Sequence, residues 1–473
     1  MATLRTFSIN GLNLRVNPFL HKEGDLIRAV NIDTDMIGAK TKRAGYYTLL
    51  GTPDNAQVNT LFDWHRANGT QFWLYRASGS ALWYSTQGTG AWTICGNGTI
   101  SNGGHIGYAV LEDTLILGDG VGSTRHSTNG TSFTNTTGAP VASTFAEYNQ
   151  RIWASGTSSD VFFSTTGTPS DWTSDSSSIR IPGAGNVSSL FKQNNRLVAT
   201  KNSGALFKYD GASLWDGATA QGPSSPYSVA NVEDKRMWLA RDGVFLFEGL
   251  QPVLQSSAVE RLIFNSLGSG VAGTQFDTAP ATIHRYDYFV TLGTVTDDFT
   301  GETITNATLK YNFLTNEFLV WSTFVQPTAW HSYVDNNRNR QLIFGDATGQ
   351  VYQFDLLAGT HQMDNTQPIE VQVMGVLHYG QPEKEKEFKR TQVFFNPGAQ
   401  AKVQTAVADT FTKGKLSWAD VGDAINGVAE HRFPEGDTNR GRLRFWKVYE
   451  ASRSSPFRLY GFVDDVEFIE ERT

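Results

Sequence analysis

The chain has 473 residues, which is enough for two or three domains. Its formal net charge of −7 excludes a general nucleic-acid coat and disfavours binding to an anionic membrane. A single cysteine, Cys95, excludes an intrachain disulfide framework and fits a reducing cytoplasm. Aromatic residues reach 12%, charged residues only 18%, and there are 46 glycines, a mix typical of short strands joined by tight turns. We therefore expect an all-β protein.

The first 50 residues lack the repeat markers of the segment that follows them. We predict that residues 1–50 form an N-terminal arm that packs on the other domains. Neither a signal peptide nor a membrane span is predicted, because the N-terminus has no basic stretch leading into an apolar one and no run approaches the roughly 18 apolar residues of a spanning helix.

Residues 51–365 repeat a pattern of strand and turn. Near-identical hairpins run from Trp83 to Trp92, from Arg125 to Phe133 and from Phe162 to Trp172. Each turn contains a glycine that can adopt positive φ, and two later segments keep the outline. The five glycines are Gly88, Gly130, Gly167, Gly211 and Gly249. A short apolar strand, often after a polar corner, precedes each hairpin: Phe72–Tyr75, Thr114–Leu117, Arg151–Ala154, Arg196–Ala199 and Arg236–Leu239.

Two degenerate copies follow, Tyr286–Val290 with Leu309–Tyr311 and Gln341–Phe344 with Val351–Phe354, which makes about seven units. A period of roughly 40 residues with four strands in each unit indicates a β-propeller. A β-helix has a shorter period, and a β-sandwich does not repeat its hairpin so closely. The sequence therefore predicts a propeller of about seven blades over residues 51–365.

Charged residues become denser after residue 366, and the strands there alternate apolar and polar side chains. Such alternation indicates one buried and one wet face, so residues 366–473 are predicted to form a β-sandwich-like domain. The charged run Glu383–Arg390 is interpreted as a solvated sheet edge rather than a docking patch. Arg440, Arg442 and Arg444 are predicted to share one strand face, which is either a solvated face or a site for phosphate or an acidic partner.

No group of residues in the sequence indicates an enzyme active site. The repeated Ser-Thr turns are similar to the Asp-boxes of sialidase-type propellers, but Gln87, Asn129 and Thr166 stand where those boxes have Asp. The nine histidines show no metal-ligand spacing. We predict no catalytic residue, no metal site and no cofactor.

The N-terminal segment contains a series of short stretches: Gly11-Leu-Asn-Leu14, Pro18-Phe-Leu20, Glu23-Gly24, Ala29-Val-Asn31-Ile-Asp33, Gly38 and Lys42-Arg-Ala-Gly-Tyr46. Together they resemble the opening of the tail hub proteins of short-tailed bacteriophages, also called nozzle or head-to-tail stabilisation proteins. The family's usual proline before the last glycine is Ala44 here. The closing stretch Ser455–Phe462 is similar to the family's C-terminal strand. The order of arm, propeller and β-domain also agrees.

The resemblance implies a non-enzymatic virion protein, assembled in the host cytoplasm, that forms a hexameric ring below the portal and its adaptor ring. Such a ring extends the DNA channel, retains the genome, lets the DNA pass without sequence-specific binding and offers surfaces for tail fibres or spikes. A heterologous ring needs two complementary faces on each subunit, and the β-domain with Arg440, Arg442 and Arg444 is the candidate for one.

Two alternatives belong to other classes. One is a receptor- or glycan-binding propeller, a tail adhesin in which aromatic residues such as Trp83, Trp92 and Trp172 stack on sugars. Recurrent aromatic residues in blades more often form the core between blades, which disfavours this reading. The other alternative is a glycoside hydrolase.

Overall fold

The fold is that of a computed structural model. It describes residues 2–469 except 16, 37, 50, 52, 68, 70, 90, 102, 212–215, 219–220, 233–234, 264–272, 297–300, 357–362, 409–415, 425, 434–439 and 453–455.

The N-terminal segment contributes five strands to three different sheets. The strands are β1 (Ala2–Thr6), β2 (Leu26–Val30), β3 (Ile32–Met36), β4 (Ala39–Lys42) and β5 (Tyr46–Thr48), with a 3₁₀ helix at Pro18–Leu20. Strands β1, β3 and β4 join a seven-stranded sheet, β2 joins a nine-stranded sheet, and β5 joins the propeller. The N-terminal segment thus contributes strands both to the propeller and to the β-domain.

Five blades of the propeller are four-stranded sheets, here numbered blades 1 to 5. Blade 1 has β6 (Val58–His65), β7 (Phe72–Ser78), β8 (Ala81–Thr86) and β9 (Thr93–Thr99). Blade 2 has β10 (Gly107–Leu111), β11 (Thr114–Gly118), β12 (Arg125–Ser127) and β13 (Thr134–Asn135). Blade 3 has β14 (Thr144–Tyr148), β15 (Arg151–Ser155), β16 (Asp160–Phe163) and β17 (Ser177–Arg180). Blade 4 has β18 (Val187–Gln193), β19 (Arg196–Lys201), β20 (Leu206–Tyr209) and β21 (Asp216–Ala218). Blade 5 has β22 (Ala230–Val232), β23 (Lys235–Ala240), β24 (Gly243–Phe247) and β25 (Pro252–Leu254).

Two further units complete the ring. The shared unit has β26 (Ala281–His284), β27 (Asp287–Thr296), β28 (Thr303–Asn312) and β29 (Glu317–Ser322), and it is one end of the nine-stranded sheet. The closing blade has β30 (Ala329–Val334), β31 (Arg340–Gly345) and β32 (Val351–Phe354), and its fourth strand is β5 from the N-terminal segment. The helices described in this region are short: 3₁₀ helices at Pro226–Ser228 and Ser256–Val259, α1 (Glu260–Ile263) and α2 (Gly273–Thr278).

The sequence markers fall where a propeller places them, so the predicted fold is confirmed. All five marker glycines adopt positive φ, between 63° and 97°, in turns that follow the third strands. The apolar markers are the second strands, and β11 is buried along its whole length. The polar corners before them are tight turns such as Asn149–Gln150, where both residues have positive φ. The sequence predicted about seven blades, and six sheets have the form of separate blades. One of these six, the closing blade, is enlarged by a hairpin. The seventh repeat is the shared unit, whose sheet continues into the β-domain.

Apolar side chains between neighbouring units hold the ring together. Each pair of adjacent units shares a buried cluster, such as the one in which Val58 and Leu61 of blade 1 meet Ile343 and Val351 of the closing blade. Because a blade buries both faces against its neighbours, its second strand is apolar on both faces. Closure by β5 ties the N-terminal segment to the last blade.

The β-domain consists of two sheets packed face to face. Its later strands are β33 (Met363–Asp364), β34 (Gln367–Pro368), β35 (Val371–Leu377), β36 (Lys386–Phe395), β37 (Lys402–Ala408), β38 (Ala419–Asp423), β39 (Val428–Arg432), β40 (Arg440–Gly441), β41 (Leu443–Glu450) and β42 (Arg458–Phe468). The hairpin β33–β34 extends the closing blade. Strands β2, β35, β41, β37 and β38 form one sheet of the sandwich, and β3, β4, β42, β36 and β39 run through the other. Trp446 and Phe462 meet between them, with ring centroids 4.1 Å apart.

The charged run Glu383–Arg390 is not a sheet edge, which corrects that interpretation. Strand β36 pairs on both sides, with β42 and with β39. The ammonium group of Lys386 is buried and donates to the carbonyl oxygens of Gln381, Lys384 and Arg442, at 2.6, 2.8 and 3.1 Å. Alternating charge is compatible with a central strand because carbonyl oxygens of the preceding turn and of the distant Arg442 satisfy the buried ammonium group.

Candidate functional site

The three arginines of the predicted interface lie in different environments. Arg440 is exposed and lies 3.3 Å from Glu387 (Nη2 to Oε2), and Arg442 is exposed as well. Arg444 is buried, with 1% of its side chain exposed, and donates from Nη1 to Asp464 Oδ1 at 2.9 Å. The prediction that they share one face is wrong, because the chain leaves the seven-stranded sheet at Gly441 and enters the nine-stranded sheet at Leu443. That crossing interrupts the period-2 alternation.

Arg444 belongs to a polar network inside the sandwich. Asp464 also accepts hydrogen bonds from the hydroxyls of Thr391 and Tyr379, and the guanidinium group lies over the rings of Phe388 and Phe433, at 5.1 and 4.9 Å. A buried charge needs such partners, because leaving one unpaired costs several kcal/mol. Only Arg440 and Arg442 are left as candidates for a surface contact.

The N-terminal motif residues build the junction between the two domains. Strand β29 of the shared unit pairs with β2, and β2 pairs with β35, so one sheet runs from the propeller into the β-domain. Asn31 lies at this crossing and has a φ of 59°. Its Oδ1 accepts hydrogen bonds from Arg43 Nε at 2.8 Å and from Ser322 N at 2.7 Å. Its Nδ2 donates to the Glu370 carbonyl at 2.8 Å. One side chain thus binds strands of both domains.

Buried ion pairs surround Asn31. Arg43 and Asp364 form a two-point pair at 2.7 and 2.5 Å, with 0% and 4% of their side chains exposed. Lys310 of the shared unit pairs with Asp33 and with Asp287, the latter at 3.1 Å. Burial would lower the pKa of Lys310, but these two carboxylates outweigh it and raise the pKa, so the ammonium is charged. Bonds of this kind hold the junction in one geometry.

The last motif stretch, Lys42 to Tyr46, is explained by packing. Lys42 pairs with Glu450 of β41 at 2.5 Å. At Gly45 a Cβ atom would lie 2.0 Å from the carbonyl oxygen of Met363, so only glycine fits. Tyr46 is buried in an aromatic cluster of the closing blade, 4.9 Å from Phe344 between ring centroids. The sequence signalled these residues by resemblance alone, since their partners lie hundreds of positions away.

The tryptophans of the alternative glycan reading are engaged within the protein. The rings of Trp83 and Trp92 both pack against the buried Arg76, whose Cζ is 4.9 and 5.1 Å from their respective centroids. Trp172 is 5% exposed and donates from Nε1 to the Pro169 carbonyl. Their rings therefore pack within and between blades, as recurrent aromatic residues in a propeller do.

The innermost strands surround two cavities of about 510 and 330 Å³. Tyr227 lines both, and its ring stacks on His105 with centroids 3.5 Å apart. The two residues precede β22 and β10, strands on opposite sides of the ring, so the stack bridges the centre of the propeller. Burial lowers the pKa of His105 to about 4, which leaves its ring neutral at pH 7.

Within the residues that the structure describes, no cluster of three or more His, Cys, Asp or Glu side chains has the arrangement of a metal site. None of the helices described is long and apolar enough to span a membrane.

Comparisons with known proteins identify no family for the chain. No family model and no curated protein matches the chain. Solved structures match over about two thirds of it. The WD40 domain of Neurospora crassa Pan2 is 10% identical, with 66% of this chain and 94% of that one covered and a TM-score of 0.42. YCF48 from Cyanidioschyzon merolae is also 10% identical, covering 66% and 98%, with a TM-score of 0.42. A computationally designed protein, Ika8, is 12% identical, covering 65% and 99%, with a TM-score of 0.40.

Proposed function

We propose that the chain is a structural protein of a phage virion, the subunit of a tail nozzle or hub ring. The observation that carries the proposal is the domain junction: the residues that resemble the tail hub family, above all Asn31 and Arg43, are those that join propeller and β-domain through one continuous sheet. In this proposal the motif preserves the angle between two domains, which a subunit that must close a ring requires.

The path of the DNA follows from the same proposal. The stack of His105 and Tyr227 bridges the centre of the propeller, so the passage would lie between the subunits of the ring and not through a single propeller. The net charge of −7 suits a wall along which a polyanion slides without sticking. We propose the portal–adaptor ring and tail fibres or spikes as partners, the virion tail as the location, and no reaction catalysed by the chain.

Arg440 and Arg442 are the proposed contacts with the adaptor or with the next subunit. Both are exposed on the β-domain, where the chain crosses between its sheets. Arginine suits such a contact because its planar group pairs with carboxylates in two-point fashion.

Mass photometry of the chain, alone and with the portal–adaptor complex of the same virus, tests the proposal. We expect the complex to gain mass equal to a hexameric ring, and the double variant Arg440→Glu/Arg442→Glu to weaken that gain. The control is Arg196→Glu, which reverses a charge that is exposed on blade 4. A chain that ignores the adaptor contradicts the proposal, and equal effects of both variants would remove the role of the two arginines.

A binding propeller is the second candidate, because the cavities between the inner strands are of a size that small ligands occupy. A glycan array with the full chain tests it. Specific retention of one glycan class without any adaptor binding would favour an adhesin, and turnover of a glycan would favour a hydrolase.

A further inference from the structure

A cleft of about 620 Å³ opens between the closing blade and blade 1. It lies on the face of the propeller that carries the turns between β6 and β7 and between β30 and β31. We call it the seam cleft, and its lining includes the charged or polar residues Asp63, His65, Gln71, Ser332, Asp335, Asn336, Arg338 and Arg340. Its volume is in the range of sites for small molecules.

The floor of the seam cleft is a carboxylate held between two imidazoles. His331 Nε2 lies 2.7 Å from Asp63 Oδ1, and His65 Nε2 lies 2.7 Å from Asp63 Oδ2. Burial would raise the pKa of Asp63, but the hydrogen bonds from the two histidines outweigh it and hold the pKa below its usual range. Asp63 is thus ionised, and both of its oxygens are engaged.

The other carboxylate of the cleft is engaged as well. Asp335 Oδ1 accepts from the backbone N–H groups of Asn337 and Asn339, at 2.9 and 2.8 Å, and Oδ2 accepts from Gln341 Nε2 at 2.9 Å. These bonds shape the turn between β30 and β31.

Arg338 on this turn and Arg340 at the start of β31 carry the charges of the cleft that have no acidic partner among the described residues. Arg338 and Arg340 are both exposed, and neither forms an ion pair with an acidic residue in the described part of the chain. Since the two carboxylates already have partners, the cleft presents cationic donors to a ligand. A planar guanidinium group matches an anionic group with two oxygens.

The remaining groups of the cleft suit hydroxyls. Gln71 and Asn336 are exposed amides, each able both to donate and to accept. The imidazole of His65 stacks on the ring of Phe72, with ring centroids 4.6 Å apart and planes at 13°, so one face of the imidazole is covered by Phe72. Phe72 and Tyr333 themselves are buried, so neither presents a ring face to a ligand.

We propose that the seam cleft binds an acidic sugar, with Arg338 and Arg340 pairing with its anionic group and Gln71 and Asn336 with its hydroxyls. The anionic group is a carboxylate or a phosphate, since both match a guanidinium. The inference does not depend on ring assembly, because the cleft lies within one subunit and uses none of the residues assigned to the adaptor contact.

Ligand-observed NMR titration of the full chain tests the proposal with four probes: a uronic-acid disaccharide, a sugar phosphate, the neutral disaccharide, and inorganic phosphate with acetate. We expect saturable binding of one acidic sugar, at least about tenfold tighter than the neutral sugar, and about tenfold weakening in Arg338→Gln/Arg340→Gln. The matched control Arg196→Gln, an exposed arginine on blade 4, leaves binding unchanged.

Four results would overturn the proposal: no binding of either acidic sugar, equal binding of the neutral sugar, equal binding of the small anions, or unchanged binding in the double variant. The substituted arginines are exposed, so the variants fold, and thermal unfolding of each verifies this. Asp63 and His331 are not substituted, because their bond joins two blades and its loss would also disturb the ring.

Discussion

Arg43→Met is expected to destabilise the domain junction strongly. The side chain donates to Asn31 Oδ1 at 2.8 Å, to both oxygens of Asp364 at 2.7 and 2.5 Å, and to the Ser322 carbonyl at 2.9 Å. Methionine fills a similar volume but leaves the carboxylate of Asp364, 4% exposed, without its cation. Removing one partner of a buried pair costs about 3–5 kcal/mol.

Urea unfolding followed by tryptophan fluorescence measures this loss. Trp321 is one of the 12 tryptophans that contribute to this emission, and its ring centroid lies 5.7 Å from Cζ of Arg43 at the junction. The matched control is Arg66→Met, which breaks an arginine–aspartate pair of 2.8 Å whose side chains are 28% and 27% exposed. Because water screens that pair, its loss should cost about 0–1 kcal/mol.

The double variant Arg43→Met/Asp364→Leu separates the charge from the packing. It removes both members of the pair, so no uncompensated carboxylate is left in the core, and we expect it to regain much of the stability lost in Arg43→Met. If Arg43→Met were no more destabilising than Arg66→Met, the argument that this pair holds the junction would be wrong.

Three further predictions concern the propeller. In urea unfolding, Gly130→Ala should lower the free energy of unfolding more than Gly167→Ala. Both glycines have positive φ, but only at Gly130 would a Cβ atom clash with a ring, that of Trp73, at 2.4 Å. Equal losses of stability in the two variants would contradict this. Burial lowers the pKa of His284 from 6.5 to about 4, so the unfolded chain binds more protons than the folded chain between these pH values. The free energy of unfolding should therefore fall as the pH drops from about 6.5 to 4. In His284→Gln, the urea midpoint of unfolding should fall less over the same pH range. Burial raises the pKa of the Cys95 thiol to about 12, so a thiol reagent at pH 8 should label it only after unfolding, and rapid labelling of the folded chain would refute its burial.

Repeated local signals made the propeller predictable. Gly88 and its four counterparts mark turns that need positive φ, and apolar strands such as Thr114–Leu117 mark positions covered on both faces. Both properties depend on a few neighbouring residues, so they can be read along the chain. The period then placed the units in order.

The β-domain was harder to predict, because its strands come from distant parts of the chain. The sequence indicated alternating strands after residue 366, but not that β1, β3 and β4 complete one sheet and β2 the other. Arg444 illustrates the consequence: alternation placed it beside Arg440 and Arg442, yet a crossing between sheets turned it inward to Asp464.

The sequence by itself determined the all-β class and the propeller, because short-range steric and hydrophobic patterns specify turns and strands. Only the tertiary structure decided how the domains join and where the polar side chains meet. Arg43 and Asp364 are 321 positions apart, and Asp63 and His331 are 268 apart. Contacts at such separations depend on how sheets assemble in space, which no local pattern encodes.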